Sequence, residues 1–199
     1  ADSLGSVLDM GPGSPTAISF GHHSNFPAEF QNDLFVCDWT FGTIFTVTMQ
    51  ETGSSYTGTK AEFLHGSPLN IAAMRFGPDG AMYFLTGGRL TESRLYRVRY
   101  TGGKTSGSAR PLLANSELRA LRHSLEQRHT PGGGVDAVGA AWPFLAHADR
   151  HIRYAARIAI ENQDLPLWLE KVFAETNPRP VIYAAIALVR HGDKSLSPR

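Results

Sequence analysis

The 199-residue sequence contains a single cysteine, Cys37, and this scarcity excludes several kinds of site. One thiol cannot build a disulfide framework, a cysteine-based zinc site or a Cys-x-x-Cys-His haem attachment within the chain. Because Cys37 ends the apolar run Leu34-Phe35-Val36-Cys37, burial is expected to raise the pKa of its thiol and to suppress its reactivity. We predict a packed cysteine, not a nucleophile.

An excess of charge of one sign and a long apolar run are also missing. Lys and Arg number 19 against 18 Asp and Glu, so the net charge of +1 gives no basic field that indicates nucleic acid. The longest apolar run, 181–189, is far shorter than the roughly 20 residues that a membrane span needs. Residues 1–14 lack the charged and apolar regions of a signal peptide. We therefore expect no nucleic-acid partner and no membrane span in this chain.

The common motifs of catalysis and of metal or cofactor binding do not occur. The sequence has no Gly-x-Ser-x-Gly, no phosphate-binding loop, no dinucleotide fingerprint and no His-Glu-x-x-His. The adjacent pair His22-His23 follows a predicted strand, where neighbouring side chains point to opposite faces and do not readily share one ion. No metal site is predicted from these residues.

Glycine and proline, 20 and 12 in number, are concentrated in the first half of the chain and divide it into two architectures. In the first half, short β-rich runs alternate with turn signals, whereas the second half has the apolar spacing of helices. Between them lies a stretch of small residues with the composition of a flexible linker. We predict an N-terminal segment at 1–14, a β-region at 15–100, a linker at 101–111 and a helical region at 112–199.

The β-region repeats with a period near 50 residues. Ser19-Phe20-Gly21 is echoed by Arg75-Phe76-Gly77, and Leu34-Phe35-Val36 is echoed by Met82-Tyr83-Phe84. Short strands at this period are typical of β-propeller blades, and an ordinary antiparallel meander is the alternative. We predict a partial β-propeller of about two four-stranded blades. Because two blades cannot close a ring, we expect a piece of a longer protein whose remaining blades are partners of this region.

The helical region carries a second repeat, with an offset of 30 residues. An apolar stripe at helical spacing occurs twice, as Ile152, Ala155, Ala156 and Ala159 and as Ile182, Ala185, Ile186 and Val189. Arg153 and Arg157 lie off the first stripe, and a solvated helix face is their default interpretation. The repeat predicts a HEAT-like α-solenoid, and the chain is then an α+β multidomain protein in which the solenoid follows the partial propeller.

The expected blade topology places four polar candidates at one end of the β-region: Asp38, Trp39, His65 and Arg89. Arg89 follows two glycines, and its guanidinium can hold a carboxylate or can brace loops by pairing with Glu92 or Asp38. Asp38 can orient a base or contact a cation, or it can cap its own turn. His65 is a weak candidate for a general base.

Five segments of the chain resemble one family, in paired order: Phe35–Thr43, Gly77–Phe84, Gly87–Val98, Ala140–Leu145 and Asp149–Arg157. They are similar to the sorbosone- or glucose-dehydrogenase-like proteins of planctomycetes, which are also labelled membrane-bound dehydrogenase-like. In that family a six-bladed propeller is followed by HEAT repeats and often by a c-type cytochrome domain. The resemblance implies that this chain is a fragment with the last blades and the first helical repeats.

The function that the resemblance implies is that of an exported quinoprotein-like sugar or alcohol dehydrogenase, acting on CH–OH groups with a quinone acceptor. It implies a periplasmic or extracellular location and pyrroloquinoline quinone with calcium in the full-length protein, with a c-type cytochrome domain as a partner. Arg89, Asp38 and Trp39 are then the expected cofactor contacts, His65 is the candidate base, and the chain alone is expected to be inactive. The alternative is a non-catalytic scaffold that binds polysaccharide or protein.

Overall fold

The computed structural model describes residues 3–103 and 117–192, which form two compact units. Of these residues, the first unit comprises 3–5, 52–55 and 117–192, and the second comprises 6–51 and 56–103. Most of the predicted linker, residues 104–111, lies outside the described residues. Within the described ranges, none of the helices combines the length and the apolar character that crossing a membrane requires.

The β-region forms two antiparallel sheets in which the order of the strands follows the sequence. The four-stranded sheet contains β1 (Pro15–Phe20), β2 (Leu34–Asp38), β3 (Thr43–Thr52) and β4 (Ser55–His65). The three-stranded sheet contains β5 (Ile71–Phe76), β6 (Met82–Thr86) and β7 (Arg94–Val98). Most of these strands are rich in β-branched and aromatic residues between Gly-, Pro- and Asp-containing turns, whereas β2 is a continuous apolar run that is buried on both faces.

One apolar core lies between the two sheets. The register that pairs Cys37 with Ile44 puts both side chains on the inner face of the first sheet, and Met74 faces Phe84 in the second. The buried members of this core share full or nearly full exclusion from water: Phe26, Phe35, Cys37, Ile44, Ile71, Met74, Met82 and Phe84. Burial of this apolar surface is the main favourable contribution to the stability of the second unit.

The predicted partial propeller is wrong. The described residues form one four-stranded and one three-stranded antiparallel sheet, and they contain neither a closed barrel nor a propeller. The repeat near 50 residues reflects two successive up-and-down meanders. Such a repeat predicts where hairpins occur, but it does not determine how the sheets are arranged around an axis. Because Phe35 and Phe84 both face one shared core, the two inner faces that we expected to need further blades cover each other.

The helical region contains five α-helices within the described residues: α1 (Glu117–Glu126), α2 (Gly134–Ala141), α3 (Arg150–Glu161), α4 (Leu169–Ala174) and α5 (Pro178–His191). Asp149 caps α3, because its carboxylate accepts from the backbone N–H groups of His151 and Ile152. Asn177 caps α5 in the same way, and the left-handed Gly192 ends that helix.

The core of the helical unit is separate and is tied together by one buried side-chain amide. Its largest fully buried residues include Trp168, Leu145 and Ile152. Gln163, only 2% exposed, donates through Nε2 to the carbonyls of Arg128, Thr130 and Ala159. Its Oε1 accepts from the backbone N–H of Gly134 at 3.0 Å. Gln163 thereby joins the ends of α1 and α3 to the start of α2.

The predicted HEAT-like solenoid is also wrong, because five helices are too few for one and two of them have fewer than nine residues in the described range. Pro143 coincides with a change from α2 to a 3-10 segment at Trp142–Ala146. The offset-30 stripe fails at α5, where Ile182 and Val189 are 58% and 80% exposed and Ala184 and Ala187 are buried instead.

Candidate functional site

Three connections meet at one end of the β unit: the β2–β3 turn, the β4–β5 connection and the β6–β7 loop. The backbone N–H of Gly66 donates to the carbonyl of Gly42 at 3.0 Å, which joins the first two. Asn70 joins all three, because its side-chain amide donates to the carbonyl of Trp39 and its own carbonyl accepts from the backbone N–H of Gly87, both at 3.0 Å. We call this surface the loop end.

The glycine at position 42 is required by this arrangement. Its φ of +63° lies in the left-handed region, which side chains disfavour. A Cβ placed there would lie 2.5 Å from the carbonyl oxygen of Gly66 and 2.9 Å from that of Leu69. Only glycine lets the first two connections approach so closely.

Asp38 is used to hold backbone at the loop end. The carboxylate is 6% exposed; its Oδ2 accepts from the backbone N–H of Ser14 at 2.6 Å, and its Oδ1 accepts from that of Phe41 at 2.7 Å. The second bond caps the turn that follows β2, which is the structural alternative given for this residue. Both carboxylate oxygens are therefore engaged with main-chain donors.

Trp39 is fixed against the β6–β7 loop. Its indole N–H donates to the carbonyl of Gly87 at 2.7 Å. The neighbouring Gly88 has a φ of +111°, and a Cβ there would lie 3.1 Å from the indole nitrogen. The ring and the glycine backbone therefore pack together, and Trp39 stays partly exposed.

His65 lies at the end of β4 and is exposed. Its Nδ1 shares a hydrogen bond with the hydroxyl of Thr43 at 3.1 Å, and Thr43 pairs with Asp38 in the sheet register. Thr43 on β3 thus lies between His65 on β4 and Asp38 on β2, and a general base at His65 stays a prediction.

Arg89 is the candidate that remains available for a ligand. Its side chain is exposed and forms no hydrogen bond or ion pair with any other described residue. The two bracing partners considered above are engaged elsewhere, since Glu92 pairs with Arg94 and Asp38 binds backbone. A free guanidinium at this end can hold a carboxylate through paired N–H donors.

Two apolar residues of the loop end were missed by the sequence analysis. Leu90 is fully exposed and has a φ of +61°, and the Thr91 backbone N–H donates to the Gly88 carbonyl at 2.8 Å to close the turn that holds it. Phe41 is 52% exposed on the β2–β3 turn. Loops are expected to be polar, and no pattern in the sequence separates these side chains from packed ones.

The opposite end of the β unit holds His22, His23 and Asn25. The rings of the two histidines are 6.4 Å apart, and the ring of His22 stacks on that of Phe20 at 5.0 Å. Asn25 instead binds the β5–β6 turn, because its backbone N–H donates to the carbonyl of Gly80 at 2.9 Å. In the part of the chain that the structure describes, no group of three or more His, Cys, Asp or Glu residues could hold a metal ion.

The predicted quinone and calcium ion find few suitable groups at the loop end. A quinone with three carboxylates needs several donors and a calcium ion needs several oxygen ligands, whereas Arg89 supplies one cationic group and the Asp38 oxygens are occupied. The indole N–H of Trp39 is occupied as well. These residues by themselves do not fit the cofactor pair, and we derive no reaction step from it.

Cys37 confirms the expectation of a packed thiol. It is fully buried in the β core, and burial raises the pKa of its thiol to about 12. A thiol with this pKa is almost entirely protonated at neutral pH, so Cys37 is not a nucleophile in the folded chain.

Comparison of the chain with protein-family models, with curated proteins and with solved structures finds no match. The resemblance described from the sequence, with the activity and the location that it implies, therefore stays a prediction.

Proposed function

We propose that this chain is a non-catalytic binding module whose loop end docks an acidic protein partner. The observation that carries the proposal is the free, exposed guanidinium of Arg89 beside the fully exposed Leu90. Around them, Asp38, Trp39 and Asn70 hold the loops in place through hydrogen bonds to main-chain groups.

The composition of the loop end supports protein binding. Arginine and aromatic residues dominate the binding energy of protein interfaces, and Arg89, Trp39 and Phe41 supply both types. Leu90 adds an aliphatic side chain whose exposure is unfavourable in water and is relieved when a partner covers it. A partner with a carboxylate opposite Arg89 and an apolar pocket opposite Leu90 fits this surface.

The test is quantitative capture of proteins from extracts of the source organism on immobilised chain. We expect Arg89→Ala and Leu90→Ser each to reduce the capture of the same acidic protein about tenfold, as loss of an interface hot spot does. His22→Ala, at the opposite end of the β unit, is the matched control and should leave capture unchanged. Circular dichroism establishes that each variant is folded.

Other outcomes would overturn this proposal. A captured set that does not change with Arg89→Ala and Leu90→Ser excludes the loop end as the docking surface. A third outcome is that the chain binds polygalacturonate, that Arg89→Ala abolishes this binding, and that no captured protein depends on Leu90. This outcome would instead identify the ligand as a uronate polysaccharide.

The dehydrogenase hypothesis is the second candidate: Arg89 can hold one carboxylate of the quinone, and the other donors would have to come from the rest of the full-length protein. Because this chain alone is expected to be inactive, the test is reduction of a dye by sugars and alcohols with the full-length protein, after addition of pyrroloquinoline quinone and calcium ions. The hypothesis requires quinone-dependent turnover that His65→Ala lowers and Arg89→Ala weakens through quinone affinity. Dye reduction that is independent of added quinone excludes it.

A further inference from the structure

The two sheets of the β unit differ beside their third strand, which is β3 in one sheet and β7 in the other. In the four-stranded sheet, β3 has neighbours on both sides, whereas β7 of the three-stranded sheet has β6 as its one hydrogen-bonded neighbour in the described residues. The internal repeat aligns Thr43-Ile44, at the start of β3, with Arg94-Leu95, at the start of β7. Among the described residues, the position that β4 fills beside β3 is therefore open beside β7.

The outer edge of β4 is covered by another segment of the chain, unlike the outer edge of β7 among the described residues. The backbone N–H of Gly58 donates to the carbonyl of Val7 at 3.1 Å. The Lys60 ammonium group donates to the carbonyl of Met10 at 2.5 Å, so residues 7–10 run along this edge. An uncovered edge presents unpaired N–H and C=O groups and is a template for another strand.

The chemistry of the outer face at this edge is specific. Leu95 is 67% exposed and pairs with Leu85, which is 47% exposed, so the two form an aliphatic row. The next row is cationic, because Arg97 pairs with Tyr83 and Tyr83 pairs with Arg75 across the sheet. Carboxylates beside Arg75 and Arg97 would balance the positive charge of this row.

One acidic residue serves the cationic row. Asp79 accepts from the Tyr83 hydroxyl at 2.8 Å and contacts the Arg97 guanidinium at 2.5 Å. These two donors keep the pKa of Asp79 low, with the Tyr83 hydrogen bond as the larger cause. Arg75 and Arg99 form no ion pair with any other described residue, so the face has an unbalanced positive charge.

We propose that the open edge of β7 binds an extended acidic peptide segment of a protein partner, which adds as a strand beside β7. Main-chain hydrogen bonds give the affinity, and alternate side chains give the selectivity. The segment carries an aliphatic residue opposite Leu95 and a carboxylate opposite Arg97, since these two positions share one face of β7, and a second carboxylate beside Arg99, which directly follows the strand. This surface is separate from the loop end, so the inference does not depend on the proposed function.

The test uses two fluorescein-labelled peptides. The first contains Glu-Val-Glu-Val-Leu, which presents two carboxylates and one leucine on a single face of a strand. The second contains Glu-Glu-Leu-Val-Val, which has the same composition without that alternation. We expect the first peptide to bind the full chain at least tenfold more tightly, and to slow amide hydrogen exchange in β7.

Variants assign the binding to the proposed residues. Arg97→Glu and Arg99→Glu should each weaken binding of the alternating peptide about tenfold at low salt, because each puts like charges together. Arg99→Glu breaks no ion pair among the described residues, so it keeps the test valid if Arg97→Glu fails to fold. Arg94→Glu is the matched control on the other face of β7 and should change binding less than twofold.

Three results would overturn the proposal. The first is equal binding of the two peptides. The second is binding without slower exchange in β7, which would place the peptide elsewhere. The third is full protection of the β7 amides in the protein alone, because this would show that the chain itself closes the edge.

Discussion

Asp38 illustrates how a carboxylate that is a candidate for chemistry can be fully engaged in holding the backbone. Burying a charged group costs free energy unless hydrogen bonds satisfy it, and the two backbone donors from Ser14 and Phe41 do so here. From the sequence, an aspartate after a strand is compatible with a cation ligand and is more often a turn cap. The difference depends on where Ser14 lies, and no local pattern determines that position.

We predict that Asp38→Ala destabilises the β unit by about 2 kcal/mol, because two partly buried amides lose a charged acceptor. Amide hydrogen exchange in β2 and β3 at increasing urea concentration measures this change. Asp9→Ala is the control, since exposed Asp9 accepts from the backbone N–H of Gly11 at 2.8 Å, and it should cost less than about 0.5 kcal/mol. Equal losses for the two variants would contradict the role assigned to Asp38.

Asp149 gives a prediction about pH. Burial raises the pKa of this carboxyl, but hydrogen bonds from Ser54, His151 and Ile152 outweigh burial and place the pKa below the ordinary value of 3.8. A group with a lowered folded pKa stabilises the folded state above its unfolded pKa and loses this contribution as the pH falls through the folded pKa. The stabilisation should therefore be present at neutral pH and disappear below about pH 4.

The measurement is the free energy of unfolding of the helical unit between pH 7 and pH 3. Asp149→Asn should lower it at neutral pH and reduce its decrease on acidification. Asp164→Asn is the control, because exposed Asp164 forms no side-chain cap at the start of its 3-10 segment. An unchanged pH profile in Asp149→Asn would refute this assignment.

At the scale of elements, the sequence patterns located the strands and helices well and their arrangement poorly. The repeated run Met82-Tyr83-Phe84 lies in β6, and the apolar stripe that begins at Ile152 lies in α3. Period-2 and period-3.6 patterns report which residues share a face, but not what covers that face. The residues that meet at the loop end could be predicted from the sequence, because consecutive hairpins place their turns at opposite ends of a sheet. The exposure of Leu90 could not be predicted.

The two isoleucines that the offset-30 repeat aligns make a matched pair. Ile152 is fully buried in the helical core, whereas Ile182 is 58% exposed on α5. We predict that Ile152→Ala costs about 3 kcal/mol and that Ile182→Ala costs about 0.5 kcal/mol. Thermal or urea unfolding distinguishes them, and a large loss for Ile182→Ala would show that its face is covered.

At the scale of the whole molecule, the described chain has two cores that share no buried residue. Local unfolding follows cooperative units of this kind. We predict that Met82→Ala accelerates amide hydrogen exchange in β5 and β6 while exchange in α3 is unchanged, and that Leu145→Ala has the reverse effect. Hydrogen exchange with mass spectrometry measures both regions in one sample. If either substitution accelerates exchange in both, the cores unfold together.

The amide of Gln163 has a consequence for the chemical durability of the helical unit. This side chain donates hydrogen bonds to three carbonyls and accepts one from the backbone N–H of Gly134. Only a neutral group with both a donor and an acceptor can do so. Hydrolysis to a glutamate would set a negative charge against three carbonyl oxygens without changing the volume. A loss of ammonia at this one residue would therefore loosen three helix ends at once.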